Sequence, residues 1–277
     1  MQASQSKMRA VVITGPQAMR LETVAKPEPG PREVRVKLEG CGVCGSNLPP
    51  WEGRPWFKYP LHPGEPGHEG WGIIDAVGSE ASRFKIGERV ALLSYRAYAE
   101  YDVADEASLV RTPPNLDGNA FPGEALGCAM NVFRRCQIEP GQTVAIVGIG
   151  FLGAVLTALS ARAGARVIAI SRREFALAIA RKLGAEAAVS LADHSAAIDQ
   201  VFKLTGGRRC DRVIEATGFQ GPLDLASELT RERGRLIIAG YHQDGLRQVN
   251  LQLWNWRGLD VINAHERDPK VFGEGMQ

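Results

Sequence analysis

Two short glycine-rich stretches carry residue types that bind metal. The first is Gly40-Cys41-Gly42-Val43-Cys44-Gly45-Ser46-Asn47, and the second, Gly67-His68-Glu69-Gly70, begins its chemistry twenty-four positions beyond Cys44. A thiolate, an imidazole and a carboxylate offer three protein ligands to zinc and leave a fourth position for water or substrate. That is the donor pattern of an open, catalytic metal site rather than a closed, structural one.

A second constellation lies further along the chain, at Gly148-Ile149-Gly150-Phe151-Leu152-Gly153. It follows Thr143–Val147, a β-branched apolar run of the kind that forms a strand buried on both faces. Gly148 permits the tight turn, Gly150 lets backbone approach a pyrophosphate, and Gly153 lets the next helix pack close to the strand. The helix expected over Leu152–Ala163 aims free N–H groups and its positive dipole end at the phosphates. Gly164 ends it, and Arg166–Ile170 forms the next strand. At that strand's tip stand Ser171, Arg172 and Arg173, where an acid would favour the free ribose diol of NAD. A hydroxyl followed by guanidinium groups instead welcomes a 2′-phosphate, which favours NADP over NAD. Thr217 and Gly218 follow another strand, Arg212–Glu215, and sit at a carboxyl strand end facing the cofactor crevice.

The elements that must position these residues fall into two textures. Up to about residue 115 the chain is β-rich, with a first strand at Arg9–Ile13 and further runs at Glu33–Leu38, Gly72–Val77, Arg89–Leu93 and Tyr98–Val103. Glycine and proline separate them, as in a small barrel or sandwich. From about Gly123 helices and strands alternate. Helices are expected at Arg173–Leu183, Ser195–Leu204 and Pro222–Leu229, and strands at Ala187–Ser190, Arg235–Ala239 and Leu259–Asn263. With the strands already placed these make a six-stranded doubly wound parallel sheet. The expected fold class is therefore α/β, with domains at 1–122 and 123–277.

Composition excludes several function classes. The 277 residues are 44% hydrophobic and 23% charged, ordinary for a soluble globular protein, and the formal charge of +2 carries no basic excess for nucleic acid. No apolar run approaches the roughly 18 residues of a membrane span, and the polar start before Arg9 lacks the apolar region of a signal peptide. Five scattered cysteines, an odd number, suggest no disulfide framework, so the expected setting is a reducing cytoplasm. Cys41, Cys136 and Cys210 read as small buried residues.

The order Gly-Val-Cys-Gly-Ser, then Gly-His-Glu-Gly, then an acid ahead of the glycine turn resembles the zinc-dependent medium-chain dehydrogenase/reductase family, which includes alcohol, sorbitol and threonine dehydrogenases. The resemblance runs over almost the whole chain from Met8. It implies a GroES-like catalytic domain joined to a Rossmann domain, and hydride transfer between NADP(H) and an alcohol or polyol. It places metal ligands on Cys44 and His68, and the third on Glu124 in Glu124-Ala125-Leu126, with Cys128 as the rival. It makes Glu69 an acid that exchanges onto the metal or supports it from behind, and Ser46 the hydroxyl that hydrogen-bonds the substrate oxygen and begins proton transfer. Zinc in such a site acts as a Lewis acid on that oxygen. Family members are dimers or tetramers, which implies a homo-oligomer paired through the edge of the nucleotide sheet.

Four departures from the family pattern bear on this expectation. Asn47 stands where the family has aspartate, removing a charge beside the metal site. Pro49 occupies the position of a proton-relay histidine. The segment Ala91–Thr112 holds no cysteine, so one catalytic zinc and no structural zinc is expected. The chain ends at Gln277, so the family's C-terminal return to the catalytic domain is expected to be missing. Two other functions stay open at this point: a zinc-free enone or quinone reductase of the same superfamily, and a non-catalytic NADP-binding remnant. Between the ligand stretches, the aromatic segment Trp51–Tyr59 either lines a substrate pocket or plugs the core.

Overall fold

The computed structural model describes residues 6–266 and 269–276. The start of the polar N-terminal stretch, Met1–Gln5, and the residues Arg267, Asp268 and Gln277 lie outside the described residues. No helix among the described residues is long and apolar enough to cross a membrane. The described residues fall into two compact units, one from Met1–Gly127 with Asp268–Gln277 and one from Cys128–Arg267.

The first unit begins with an antiparallel hairpin, β1 (Lys7–Gly15) and β2 (Ala18–Ala25), turning through Pro16 and Gln17. Among the described residues it then builds a five-stranded antiparallel sheet from β3 (Glu33–Cys41), β4 (Gly70–Val77), β5 (Arg89–Leu92), β6 (Tyr101–Asp105) and β7 (Leu109–Arg111), in the order β6-β3-β4-β5-β7. Val34, Val36, Ile74, Val90, Leu92 and Leu109 from these strands are buried with Phe84 as its core. Burying each large aliphatic chain of this kind contributes about 1.5–3 kcal/mol. A short helix, α1 (Leu48–Glu52), follows the first glycine-rich stretch.

One pairing in this sheet matters for chemistry. At the end of β3, Cys41 lies opposite Gly70 at the start of β4. The chain leaving β3 therefore emerges beside the chain entering β4, and Gly42 N–H donates to Glu69 O at 3.1 Å just beyond the last pair. Antiparallel register alone thus brings the stretch after Cys41 next to the stretch before Gly70.

The second unit is a parallel sheet in the order β10-β9-β8-β11-β12-β13. Its strands are β8 (Thr143–Val147), β9 (Arg166–Ser171), β10 (Ala187–Ser190), β11 (Cys210–Glu215), β12 (Thr230–Ile238) and β13 (Asp260–Asn263). The helices are α2 (Gly123–Cys136), which leads into the unit, then α3 (Phe151–Arg162), α4 (Glu174–Lys182), α5 (His194–Leu204), α6 (Gln220–Leu229) and α7 (Leu251–Arg257). β8 is buried at every residue, and its alternate side chains enter two cores. Ala145 and Val147 pack with α5 and α6 on one face, Val144 and Ile146 with α2, α3 and α4 on the other. This three-layer burial is why the run reads as continuously apolar rather than alternating.

The structure redraws two sequence expectations. The division between units falls inside α2, between Gly127 and Cys128, and not at 122/123. The first turn of α2 is held in the first unit, where Gly123 lies against Ala91 of β5 and Met276. The last described segment, α8 (Pro269–Met276), also groups with the first unit, packing near β7, so 123–277 is not one continuous block. The run Tyr98–Val103 joins the sheet only from Tyr101, because Tyr98 N–H is drawn to Gly64 O at 3.1 Å.

Candidate metal centre and cofactor turn

In the first unit the register just described gathers Cys44, His68 and Glu69. One donor atom from each lies within 4.8 Å of the others. Glu69 is buried and the other two are half-buried. Cys44 precedes a 3-10 turn, Gly45–Asn47, and its N–H donates to Asn47 Oδ1 at 2.9 Å. His68 Nδ1 lies 2.8 Å from the Pro66 carbonyl oxygen, which accepts its hydrogen and leaves Nε2 facing the cluster. Ser46 Oγ stands 3.4 Å from that Nε2.

Asn47 does more than replace an aspartate. Its Nδ2 donates to Pro66 O at 3.0 Å, and its Oδ1 also accepts from Tyr98 OH at 2.8 Å. The side chain, itself buried, thus ties the Cys44 turn to the stretch that carries His68. An aspartate there has no hydrogen to give Pro66.

The electrostatics follow from this close packing. Burial pulls the His68 imidazolium down, but bonding to the Cys44 side chain and Pro66 O, with the charges of Cys44 and Glu124, outweighs it and raises His68 to about 9. Burial also raises Glu69, against the His68 charge and a bond from Cys44. A sulfur, an imidazole nitrogen and a carboxylate oxygen brought together in a desolvated niche suit a divalent cation. The bond from His68 Nδ1 to a backbone oxygen is the support that zinc-ligating histidines have. The residues fit zinc.

Glu124 sits buried in the first turn of α2, outside the three-residue group yet near enough for its charge to act on His68. Cys128 follows one helical turn later, in the second unit. Cys136 and Cys210 are buried in the two cores of the second unit, and burial pushes each thiol up to about 12. Cys41 is raised to about 11, also by burial. In the aromatic segment, Tyr59 OH donates to Pro50 O while Trp56 is exposed.

In the second unit the glycine turn connects β8 to α3. Gly148 has φ +99° and its N–H donates to Ile170 O at 2.9 Å. A Cβ on Gly153 would lie 2.0 Å from Gly148 O, whereas one on Gly150 would meet nothing within 4 Å. Phe151 and Leu152 open α3 behind the turn. At the tip of β9, Ser171 is buried and Arg172 is exposed. Arg173, also exposed, donates Nη2 to Ile149 O at 3.0 Å, inside the glycine turn. Thr217 and Gly218 follow β11, and both N–H groups donate to Glu215 Oε1, at 2.7 and 2.9 Å. Glu215, fully buried, is a residue that sequence patterning did not single out; the signal available was an acid directly after the apolar pair Val213-Ile214 at a strand end.

Two family models match the chain: an alcohol dehydrogenase GroES-like domain over residues 30–123 and a zinc-binding dehydrogenase over residues 148–276. Erythritol/L-threitol dehydrogenase of Mycolicibacterium smegmatis is 28% identical over 94% of this chain and 83% of its own length. Sorbitol dehydrogenase of Bacillus subtilis is 27% identical over 98% of this chain and 85% of its own. A zinc-binding dehydrogenase from Sinorhizobium meliloti, solved bound to NADP, superposes with a TM-score of 0.85 at 26% identity, covering 98% of this chain and 88% of that one. Fold, site and relatives define a dehydrogenase built from a GroES-like and a Rossmann domain. The chain belongs to the zinc-dependent medium-chain dehydrogenase family.

Proposed function

We propose that this chain is a zinc-dependent alcohol or polyol dehydrogenase that prefers NADP to NAD. The observation that carries the reading is the convergence of Cys44, His68 and Glu69 within 4.8 Å at the end of a GroES-like sheet. Cys44 and His68 hold the metal with a carboxylate, Glu69 being the acid gathered with them and Glu124 the acid whose charge reaches His68. When bound, zinc supplies a Lewis acid for the substrate oxygen and the nicotinamide supplies a hydride acceptor or donor. Ser46 Oγ hydrogen-bonds the substrate oxygen and begins proton transfer, accepting the substrate's hydroxyl proton as it passes its own hydrogen on toward solvent. The glycine turn and the N-terminus of α3 bind the pyrophosphate. Ser171 and Arg172 bind the 2′-phosphate, and Thr217 and Gly218 contact the cofactor from β11. The polyol names of the relatives in M. smegmatis and B. subtilis support a polyhydroxylated substrate. We further propose one zinc per chain, a cytoplasmic setting and a homo-oligomer.

The test is direct. Purified protein is assayed for zinc and for NADPH formation with a panel of polyols and simple secondary alcohols. Near-stoichiometric zinc and polyol-dependent NADPH formation that Cys44→Ser abolishes are expected. Turnover that persists after the metal is stripped overturns the zinc reading and leaves the zinc-free reductase.

A further inference from the structure

The buried carboxylate of Glu215 is the start of a connected chain of hydrogen bonds across two cofactor-side loops. Its Oε1 accepts from the Thr217 and Gly218 N–H groups and from the Thr217 hydroxyl. Its Oε2 lies 3.0 Å from His242 Nε2. On the far side of the ring, Arg247 Nε lies 2.8 Å from His242 Nδ1. An arginine Nε always carries its hydrogen, so Nδ1 must be the acceptor. The hydrogen of the neutral ring is then on Nε2 and points at Glu215. Four donors satisfy the roughly four lone-pair sites of the carboxylate.

The chain of bonds closes on itself. Arg247 Nη2 donates to Gly218 O at 2.7 Å and Arg247 pairs with Asp244. A second fastening lies alongside: Gln220 Nε2 donates to Gln248 O at 2.7 Å and Gln248 N–H returns to Gln220 Oε1 at 3.0 Å. The contact is close at the base, where a Cβ on Gly240 would lie 2.2 Å from Gly218 N. The segment 240–248 after β12 is therefore strapped to the turn 215–220 after β11.

Strand order says which part of a ligand those loops face. The strand order reverses between β8 and β11, and a dinucleotide spans the crevice at such a point. Ser171 and Arg172, at the tip of β9, lie on the side that takes the adenosine half. The β11–β12 side is left for the nicotinamide half. Resting on the cofactor reading above, we propose that His242 is a positioning residue for the nicotinamide half of the cofactor, holding the loop after β12 against the turn after β11 through its Nε2–H tautomer. Arg247 is the residue that sets that tautomer.

The experiment compares two probes, NADPH and 2′,5′-ADP, the latter carrying only the adenosine half. Binding of each is titrated by calorimetry to wild type, His242→Leu, His242→Gln and Arg247→Ala. His242→Leu and Arg247→Ala are expected to weaken NADPH about tenfold or more and leave 2′,5′-ADP unchanged. His242→Gln, whose amide offers one donor and one acceptor at the same reach, is expected to recover most of the NADPH affinity. Unchanged NADPH binding in His242→Leu overturns the inference. Equal loss of both probes overturns it too, since that is what a merely structural role does. If His242→Leu fails to fold, Arg247→Ala and His242→Gln decide by the same criteria. Wild type that binds neither probe sinks the cofactor reading itself, and the inference with it.

Discussion

Asn47 and His68 share one acceptor: Asn47 Nδ2 and His68 Nδ1 both reach the Pro66 carbonyl oxygen, at 3.0 and 2.8 Å. One peptide oxygen thus fixes the ring orientation of His68 and anchors the turn that carries Cys44. Asn47→Asp keeps the acceptor for Cys44 N–H and Tyr98 OH but turns a donor into a lone pair facing Pro66 O. The substitution is expected to cost about 1–3 kcal/mol of stability, the range for a buried polar group left unpaired. Denaturant unfolding of the two proteins measures it, and a midpoint unchanged in Asn47→Asp would show that the shared acceptor carries no weight.

The proton on His68 predicts how metal uptake responds to pH. His68 is raised from its ordinary value of about 6.5 to about 9 in the metal-free protein. A raised imidazole stabilises the folded state fully below its unfolded pKa and loses that contribution as pH rises through the folded one. Metal-free stability from this group is therefore present below about pH 6.5 and declines up to about pH 9. Zinc needs the ring neutral, so uptake inside that window must expel the proton. Addition of zinc at pH 7.5–8, roughly the middle of the window, is expected to release protons to an indicator dye. Apparent zinc affinity should climb about tenfold per pH unit until about pH 9. His68→Ala should reduce the release, leaving what the thiol ligand must give up; a release unchanged by it would place the proton elsewhere.

Arg172 and Arg173 stand side by side in sequence but do different work. Both are exposed, but Arg173 donates Nη2 to Ile149 O in the glycine turn, whereas Arg172 stands at the strand tip. Arg172→Ala is expected to weaken NADPH about tenfold or more, the worth of a charge-assisted contact, and to leave NADH unaffected. Arg173→Ala removes a support of the turn that both cofactors use, so it should weaken NADPH and NADH alike. Tryptophan-quenching titrations with both nucleotides separate the two outcomes. Equal losses in Arg172→Ala would end the case for NADP preference.

How much of this was legible depended on how local the forces are. Thr143–Val147 and Ala187–Ser190 are strands to the residue as expected; for the first, burial on both faces leaves an unbroken apolar run. α2 was not anticipated: Gly123 and Gly127, poor helix formers, interrupt its first turns, and tertiary packing of that turn overrides them. β2 is not marked by burial, since its residues are exposed or half-buried, and the only alternation it offers is Met19 and Leu21 against Arg20 and Glu22. At the site, motif order singles out Cys44 and His68 as ligands with Glu69 beside them, but it puts the third ligand on Glu124, whereas the acid the structure gathers with Cys44 and His68 is Glu69. The value of Asn47 was not legible, since it looked like a lost charge until the Pro66 oxygen was found within its reach. His242 and Glu215 are 27 residues apart, and only the parallel pairing of β11 with β12 brings them together.

Gly150 and Gly153 separate what the fold requires from what a ligand requires. A Cβ on Gly153 would lie 2.0 Å from Gly148 O, a backbone atom that cannot move aside, so Gly153→Ala must push α3 away from β8. That substitution is expected to destabilise the protein by several kcal/mol, at the upper end of ordinary point mutations and roughly what overpacking of a core costs. Nothing in the protein opposes a methyl group at Gly150: its φ is −92° and the space around a Cβ is open for 4 Å. A glycine there answers to something outside the chain, namely a pyrophosphate approaching the backbone. Gly150→Ala is therefore expected to unfold at the same temperature as wild type while losing affinity for NADPH and NADH together. If both affinities survive intact, the open space over Gly150 is not where the dinucleotide binds, and the glycine turn is a structural bend alone.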